Sequence, residues 1–90
     1  MSTIKIDGRE LTVNLNAFSI KEYRNMVEDG ITLEERAHRE NTVIAKSIGM
    51  DVEEFENLPF HDWQIISRRF YEIVRQPDDA PNLESASTST

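Results

Sequence analysis

Residues 58–77 read LPFHDWQIISRRFYEIVRQP, and this stretch decides the fold because it holds four of the chain's seven aromatic side chains. On a helix, its apolar residues fall within an arc of roughly 160°. They are Phe60, Trp63, Ile66, Phe70, Tyr71, Ile73 and Val74. The charged residues lie on the opposite side, together with Ile65. The stretch therefore predicts an amphipathic helix over residues 60–75 with an unusually wide apolar face.

That face is wider than one packing surface usually covers, so we expect it to serve two purposes. An inner stripe belongs to the core: Trp63, Ile66, Phe70, Ile73 and Val74. An outer margin contacts a partner protein and is led by Phe60, Ile65 and Tyr71. With Trp63 and Phe70 included, the predicted partner-binding set is Phe60, Trp63, Ile65, Phe70 and Tyr71.

An antiparallel hairpin is predicted before this helix, over residues 3–15. Asp7-Gly8 separates two alternating segments, and an Asp-Gly pair favours the type I′ turn, which needs positive φ at both central residues. The resulting cross-strand pairs are Lys5 with Glu10, Ile4 with Leu11, and Thr3 with Thr12. The buried face is then Ile4, Ile6, Leu11, Val13 and Leu15. Because a lone hairpin is barely stable in water, helices must cover this face.

Three more helices are predicted from their start and stop signals, over residues 20–28, 33–48 and 52–57. Each start resembles a capping box, in which a side chain accepts from free helix N–H groups. The boxes are Ser19-x-x-Glu22, Thr32-x-x-Glu35 and Asp51-x-x-Glu54, and the stops are Gly30, Gly49 and Leu58-Pro59. The expected inner face of the first helix is Ile20, Tyr23, Met26 and Val27. The second helix has a narrow apolar stripe of Leu33, Ala37, Ile44 and Ile48.

Together these elements predict a mainly α (α+β) fold. An N-terminal β-hairpin is followed by three or four short helices in a single domain, residues 1–76. Residues 77–90 contain two prolines and a run of Ala, Ser and Thr. Such a polar segment buries too little apolar surface to offset its chain entropy, so we expect a disordered C-terminal tail.

Charge and composition exclude several classes of function. Seventeen acidic against ten basic residues give a formal charge of −7, which disfavours binding to a nucleic-acid backbone. Arg68, Arg69 and Arg75 are expected to pair with the acidic segment 51–56 instead. The absence of cysteine excludes disulfides and thiolate metal sites. The apolar runs are too short to span a membrane and no signal peptide is visible, so a cytosolic protein is expected.

Few side chains are spaced for catalysis or metal binding. Glu34 and His38 lie four residues apart on one helix face, but a catalytic zinc site needs three protein ligands and no third is evident nearby. Glu53 and Glu54 lie in a short solvated helix, which offers no difference in environment to separate their pKa values. We therefore expect no enzyme activity, no cofactor, no metal and no small-molecule substrate.

The order of elements resembles that of tailed-phage tail assembly chaperones. The resemblance covers residues 3–77 and is carried by the IKIDGREL hairpin, by Ile48-Gly49, and by Leu58-Pro59 followed by Asp62. It implies a small acidic helical protein of the host bacterial cytoplasm that coats the long hydrophobic tape-measure protein before the tail tube assembles. It also implies self-association, and family members are often extended by a frameshift. The family has no catalytic residues.

Three hypotheses about function follow. The first is a phage or prophage tail assembly chaperone that binds the hydrophobic helical tape-measure protein and keeps it soluble. The alternative is a small acidic regulatory adaptor or inhibitor that binds a basic protein surface through residues 51–56. The third is a metal-dependent hydrolase that uses Glu34 and His38.

Overall fold

The chain begins with the predicted hairpin in the computed structural model, which describes residues 2–75. Strand β1 is Thr3–Ile6 and strand β2 is Arg9–Thr12. Their register pairs Thr3 with Thr12, Ile4 with Leu11 and Lys5 with Glu10, as predicted. Gly8 adopts a φ of 79°, a backbone conformation that glycine takes without steric cost.

The apolar face of the hairpin is buried at four of its five predicted residues: Ile4, Ile6, Leu11 and Val13. Leu15 is 40% exposed, so its prediction as a core residue is wrong. The reason is that β2 ends at Thr12, and the N–H of Asn14 then donates to the carbonyl of Ser47 at 2.7 Å. This bond directs the chain away from β1 and takes Leu15 out of the strand's alternation.

Four helices follow, each ending within three residues of the predicted bounds. They are α1 Ile20–Asn25, α2 Leu33–Ser47, α3 Val52–Glu56 and α4 Phe60–Arg75. A hairpin followed by helices confirms the predicted α+β fold class. The predicted tail, residues 77–90, lies outside the residues that the structure describes.

Two of the three predicted helix caps are present. Ser19 accepts from the N–H of Glu22 at 3.1 Å, and the N–H of Ser19 donates to the Glu22 carboxylate at 2.9 Å. Thr32 accepts from the N–H of Glu35 at 3.0 Å. Asp51 stands at the start of α3 with an extended backbone, but its side chain makes no capping bond, so this prediction is wrong.

The core forms where the middle of α4 covers the hairpin. Ile66 and Phe70 have no exposed surface, and Ile73 is 5% exposed. The preceding helices and turns contribute Met26, Val43, Ile44, Ala45, Ile48, Met50 and Phe55. Trp63 and Val74, predicted for the same inner stripe, are only half-buried. The core therefore takes up the central part of α4 and leaves apolar residues near both of its ends.

Several apolar residues predicted to face inward are exposed instead. They are Ile20 at 72%, Val27 at 66%, Leu33 at 83%, and also Ala37. Val27 lies beyond the end of α1, which has only six residues. The first two turns of α2 extend past the core. The buried residues of this helix are Val43, Ile44, Ala45 and Ser47.

A chain of polar contacts joins α2, α3 and α4 beside the core. Trp63 Nε1–H donates to Asn41 Oδ1 at 3.3 Å, and the Asn41 amide donates to Glu56 Oε2 at 3.2 Å. His38 Nδ1 lies 3.1 Å from the same carboxylate oxygen. The bond from Asn41, and secondly that from His38, lowers the pKa of Glu56 because both stabilise its charged form.

Replacing Phe70 with alanine should remove much of the stability of this domain. Truncating a buried phenylalanine costs about 3–5 kcal/mol. The total free energy of unfolding of such a domain is only about 0.05–0.15 kcal/mol for each of its residues, so this loss is a large part of it. The matched control is Phe60→Ala, because Phe60 is 68% exposed. Phe60 also stacks on Trp63, so we expect a loss of about 1 kcal/mol or less. Urea unfolding measures the stability of both variants. Equal losses would contradict the placement of Phe70 in the core and of Phe60 on the surface.

Replacing Glu56 with glutamine should weaken the pH dependence of stability in acid. The folded-state pKa of Glu56 is below its unfolded value, so its contribution is present above the unfolded pKa and is lost as the pH falls through the folded pKa. The stability difference between the wild type and Glu56→Gln should therefore shrink between about pH 6 and about pH 3. Glu53→Gln, on the same helix and exposed, is the control. A difference that stays constant with pH, measured by urea unfolding, would contradict this assignment.

Candidate functional site

An apolar groove opens between α1, the segment before it and the last turn of α4. We call it the α1 groove and define it by Leu15, Phe18, Ile20, Tyr23 and Val74, with Ser19 at its edge. Its volume is about 210 Å³. Leu15 is 40% exposed and Ile20 is 72% exposed, while the other apolar lining residues are half-buried. The groove thus presents apolar surface to solvent in a strongly acidic protein.

Contacts to the core hold the floor of the α1 groove in place. The Phe18 ring lies 6.2 Å from the ring of Tyr23 and 5.9 Å from that of Phe70, measured between centroids. The capping box of Ser19 fixes where α1 begins, and hence the positions of Ile20 and Tyr23 one turn apart. The groove is therefore formed before any partner binds, which reduces the ordering cost of binding.

An ion pair with a side chain of α2 also fixes the position of α1. Lys46 of α2 forms an ion pair with Glu22, and this bond is the main cause that lowers the pKa of Glu22. Both side chains are partly exposed, so the pair contributes modestly to stability. The ion pair matters for the α1 groove because it orients Glu22, the only carboxylate of α1, toward α2 and away from the groove.

The dimensions of the α1 groove indicate what it can bind. Small-molecule sites usually enclose about 300–1,000 Å³ and carry several convergent polar groups. This groove is smaller, and the described residues give it only the Ser19 and Tyr23 hydroxyls. One or two apolar side chains from a helix that lies along it are a suitable occupant, as in helix-in-groove recognition.

A second apolar surface lies at the other end of α4. We call it the Phe60 surface and define it by Leu58, Phe60 and Trp63. Phe60 is 68% exposed, and its ring centroid lies 5.3 Å from that of Trp63. Fourteen residues separate Phe60 from Val74, which at 1.5 Å per residue places the two surfaces about 21 Å apart along the helix. They are separate patches and not one continuous face.

The five predicted partner-binding residues do not lie on one surface. Phe60 and Trp63 share the Phe60 surface. Ile65 is half-buried and lies beside Lys5, on the hairpin side of α4. The predicted role of Phe70 is wrong, because this side chain has no exposed surface and is the centre of the core.

Tyr71, the fifth predicted residue, is attached to α2. Its hydroxyl donates to Glu40 Oε2 at 2.5 Å. Burial, and secondly this carboxylate, raises the pKa of Tyr71, because both disfavour a phenolate. The ring is half-buried, and its polar end is already satisfied within the protein. Tyr71 is therefore less available to a partner than Phe60.

The α1 groove was not predicted from the sequence, although the helix spacing contained one indication that Ile20 is exposed. Ile20 and Met26 lie six residues apart, which places them about 120° apart on a helix, so a core that meets one side of α1 buries one of them more than the other. Met26 is 3% exposed, and Ile20 accordingly points outward. No sequence signal joins Leu15 and Val74, because they meet only through the tertiary fold.

The residues considered for metal or acid–base chemistry are not arranged for it. Among residues 2–75, no group of three or more His, Asp or Glu side chains could hold a metal ion. His38 contacts Glu56 of α3 at 3.1 Å and belongs to the polar chain described above. Glu53 and Glu54 are exposed. His38 therefore has a structural contact, and Glu53 and Glu54 are surface residues.

The expected basic edge on α4 does not face the acidic segment 51–56. Arg69 pairs with Glu72 on its own helix at 3.2 Å. Within that segment, Glu54 lies 3.9 Å from Arg9 of the hairpin. The prediction is wrong because neighbours one turn apart on a helix meet without any tertiary constraint, whereas a contact between two helices depends on how they are placed.

No helix within residues 2–75 is long and apolar enough to cross a membrane. Comparison with known proteins finds no matching family model, no matching curated protein and no matching solved structure.

Proposed function

We propose that this chain is a phage or prophage tail assembly chaperone, a binding protein of the host bacterial cytoplasm and not an enzyme. Its partner is the hydrophobic helical tape-measure protein, which it keeps soluble during tail assembly. The observation that carries the proposal is the α1 groove, a preformed apolar surface on a protein of formal charge −7. The order of elements, similar to that of tail assembly chaperones, supports it.

The physical requirements of such a chaperone agree with these features. It has to cover apolar side chains of its partner while presenting charge to water. Burying one large aliphatic side chain contributes about 1.5–3 kcal/mol, so a groove with Leu15 and Ile20 at its margins binds one site weakly. Many copies along one long partner, or simultaneous use of the Phe60 surface, multiply weak contacts into tight binding. Self-association of copies on the partner belongs to this proposal.

A second candidate is a regulatory adaptor or inhibitor that binds a basic protein surface. The exposed carboxylates of Asp51, Glu53 and Glu54 favour it. Binding of that kind depends on exposed charges and weakens with salt. The chaperone depends on apolar burial, so its binding should persist at high salt and involve many copies.

Co-expression with a long, hydrophobic, helical tape-measure protein tests the leading proposal. The soluble fraction of that partner should rise several-fold with the wild-type chain. Ile20→Asp places a charge in the α1 groove and should abolish the rise. Leu33→Asp is the matched control, because Leu33 is 83% exposed and lies outside both apolar surfaces. It should act as the wild type does.

The result also separates the two candidates. An unchanged soluble fraction with the wild-type chain would refute the chaperone. Loss of binding on Glu53→Lys, with Ile20→Asp having no effect, would favour the adaptor. Far-ultraviolet circular dichroism of each variant checks that it is folded.

A further inference from the structure

Three basic residues are adjacent in sequence to residues that line the α1 groove, although the protein as a whole is acidic. Lys21 and Arg24 are exposed on α1, and Arg75 is exposed next to Val74 on α4. Arg24 is four residues after Ile20, so it stands about 40° from Ile20 on the same outer side of α1, one turn further along. None of these three cations is in an ion pair with another residue of the described part of the chain.

The carboxylates of α1 and of the last turn of α4 are already paired with other cations. Glu22, the acidic residue of α1, is paired with Lys46 of α2. Glu72 of α4 is paired with Arg69. No carboxylate is among the residues that line the α1 groove. Among residues 2–75, the unpaired charges that are adjacent in sequence to the groove lining are therefore all positive.

We propose that the segment bound in the α1 groove is an amphipathic helix whose apolar anchors are flanked by Asp or Glu. This inference rests on the proposed function, in that the groove binds an apolar helix, and it specifies the charge of that helix. Anchors at i and i+4 occupy the space between Ile20 and Val74. Carboxylates one turn to either side then face Lys21, Arg24 and Arg75, where a lysine would meet like charge.

The expected effect of the charges is moderate. Each exposed ion pair changes affinity by a factor of about 1.4–5, so up to three such pairs give about tenfold. Because the charges are solvated, the effect should fade once the Debye length drops to a few ångströms. Apolar burial in the groove does not share that salt dependence.

Two synthetic peptides test the inference directly. Both have about 18 residues, long enough to form a helix, and the same leucine anchors. One carries glutamates beside the anchors and the other carries lysines. Fluorescence polarisation with the full chain should show the glutamate peptide binding about tenfold more tightly at low salt. The two affinities should converge at about 1 M salt.

A charge-reversed variant provides the second measurement. Lys21→Glu with Arg24→Glu should reverse the preference, so that the lysine peptide binds more tightly. The matched control is Lys5→Glu with Arg68→Glu, which changes the net charge by the same amount at exposed residues away from the groove. The control should keep the preference for the glutamate peptide.

The outcomes distinguish the two proposals. Equal binding of both peptides at low salt, or tighter binding of the lysine peptide by the wild type, would overturn the inference about charge and leave the groove as a binding site. Binding of neither peptide, or binding that Ile20→Asp does not weaken, would overturn the groove itself and with it both proposals.

Discussion

A two-stranded hairpin has one apolar face and cannot keep it out of water alone, so its burial under α4 is the contact on which the other elements depend. Ile4 and Ile6 of β1 and the fully buried Ile66 and Phe70 of α4 lie in one continuous core. The contact between the hairpin and α4 thus brings together the first and the last elements of the described part of the chain. The intervening helices are arranged around this contact, and α2 adds its last turn and a half to the same core.

The position of α4 on the hairpin also decides what remains exposed. Its central turns are used in the core, so apolar residues near its two ends are left for other contacts. At the C-terminal end, Val74 meets α1 and the segment that leaves β2, and the α1 groove results. Along the side toward α2, Trp63 and Tyr71 are held by Asn41 and Glu40. The groove is therefore a consequence of how the core is built.

Features that depend on neighbouring residues could be predicted from the sequence. The Asp7-Gly8 turn sets the hairpin register, and the capping residue Ser19 sets the start of α1. Features that depend on which side of a helix meets the core could not. The periodicity of the sequence shows which residues share a helix face with Ile20 or with Phe70. Only the tertiary fold decides that Ile20 is 72% exposed and that Phe70 has no exposed surface. The groove joins three separate segments, which no local pattern reveals.

We propose that the α1 groove, and not the acidic helix α3 or the hairpin, is the binding surface. Backbone amide chemical shifts of the ¹⁵N-labelled chain, followed while a helical segment of the partner is added, test it residue by residue. The largest changes in chemical shift are expected at residues 15–24 and 71–75. Changes confined to residues 51–56, or to residues 3–12, would contradict it.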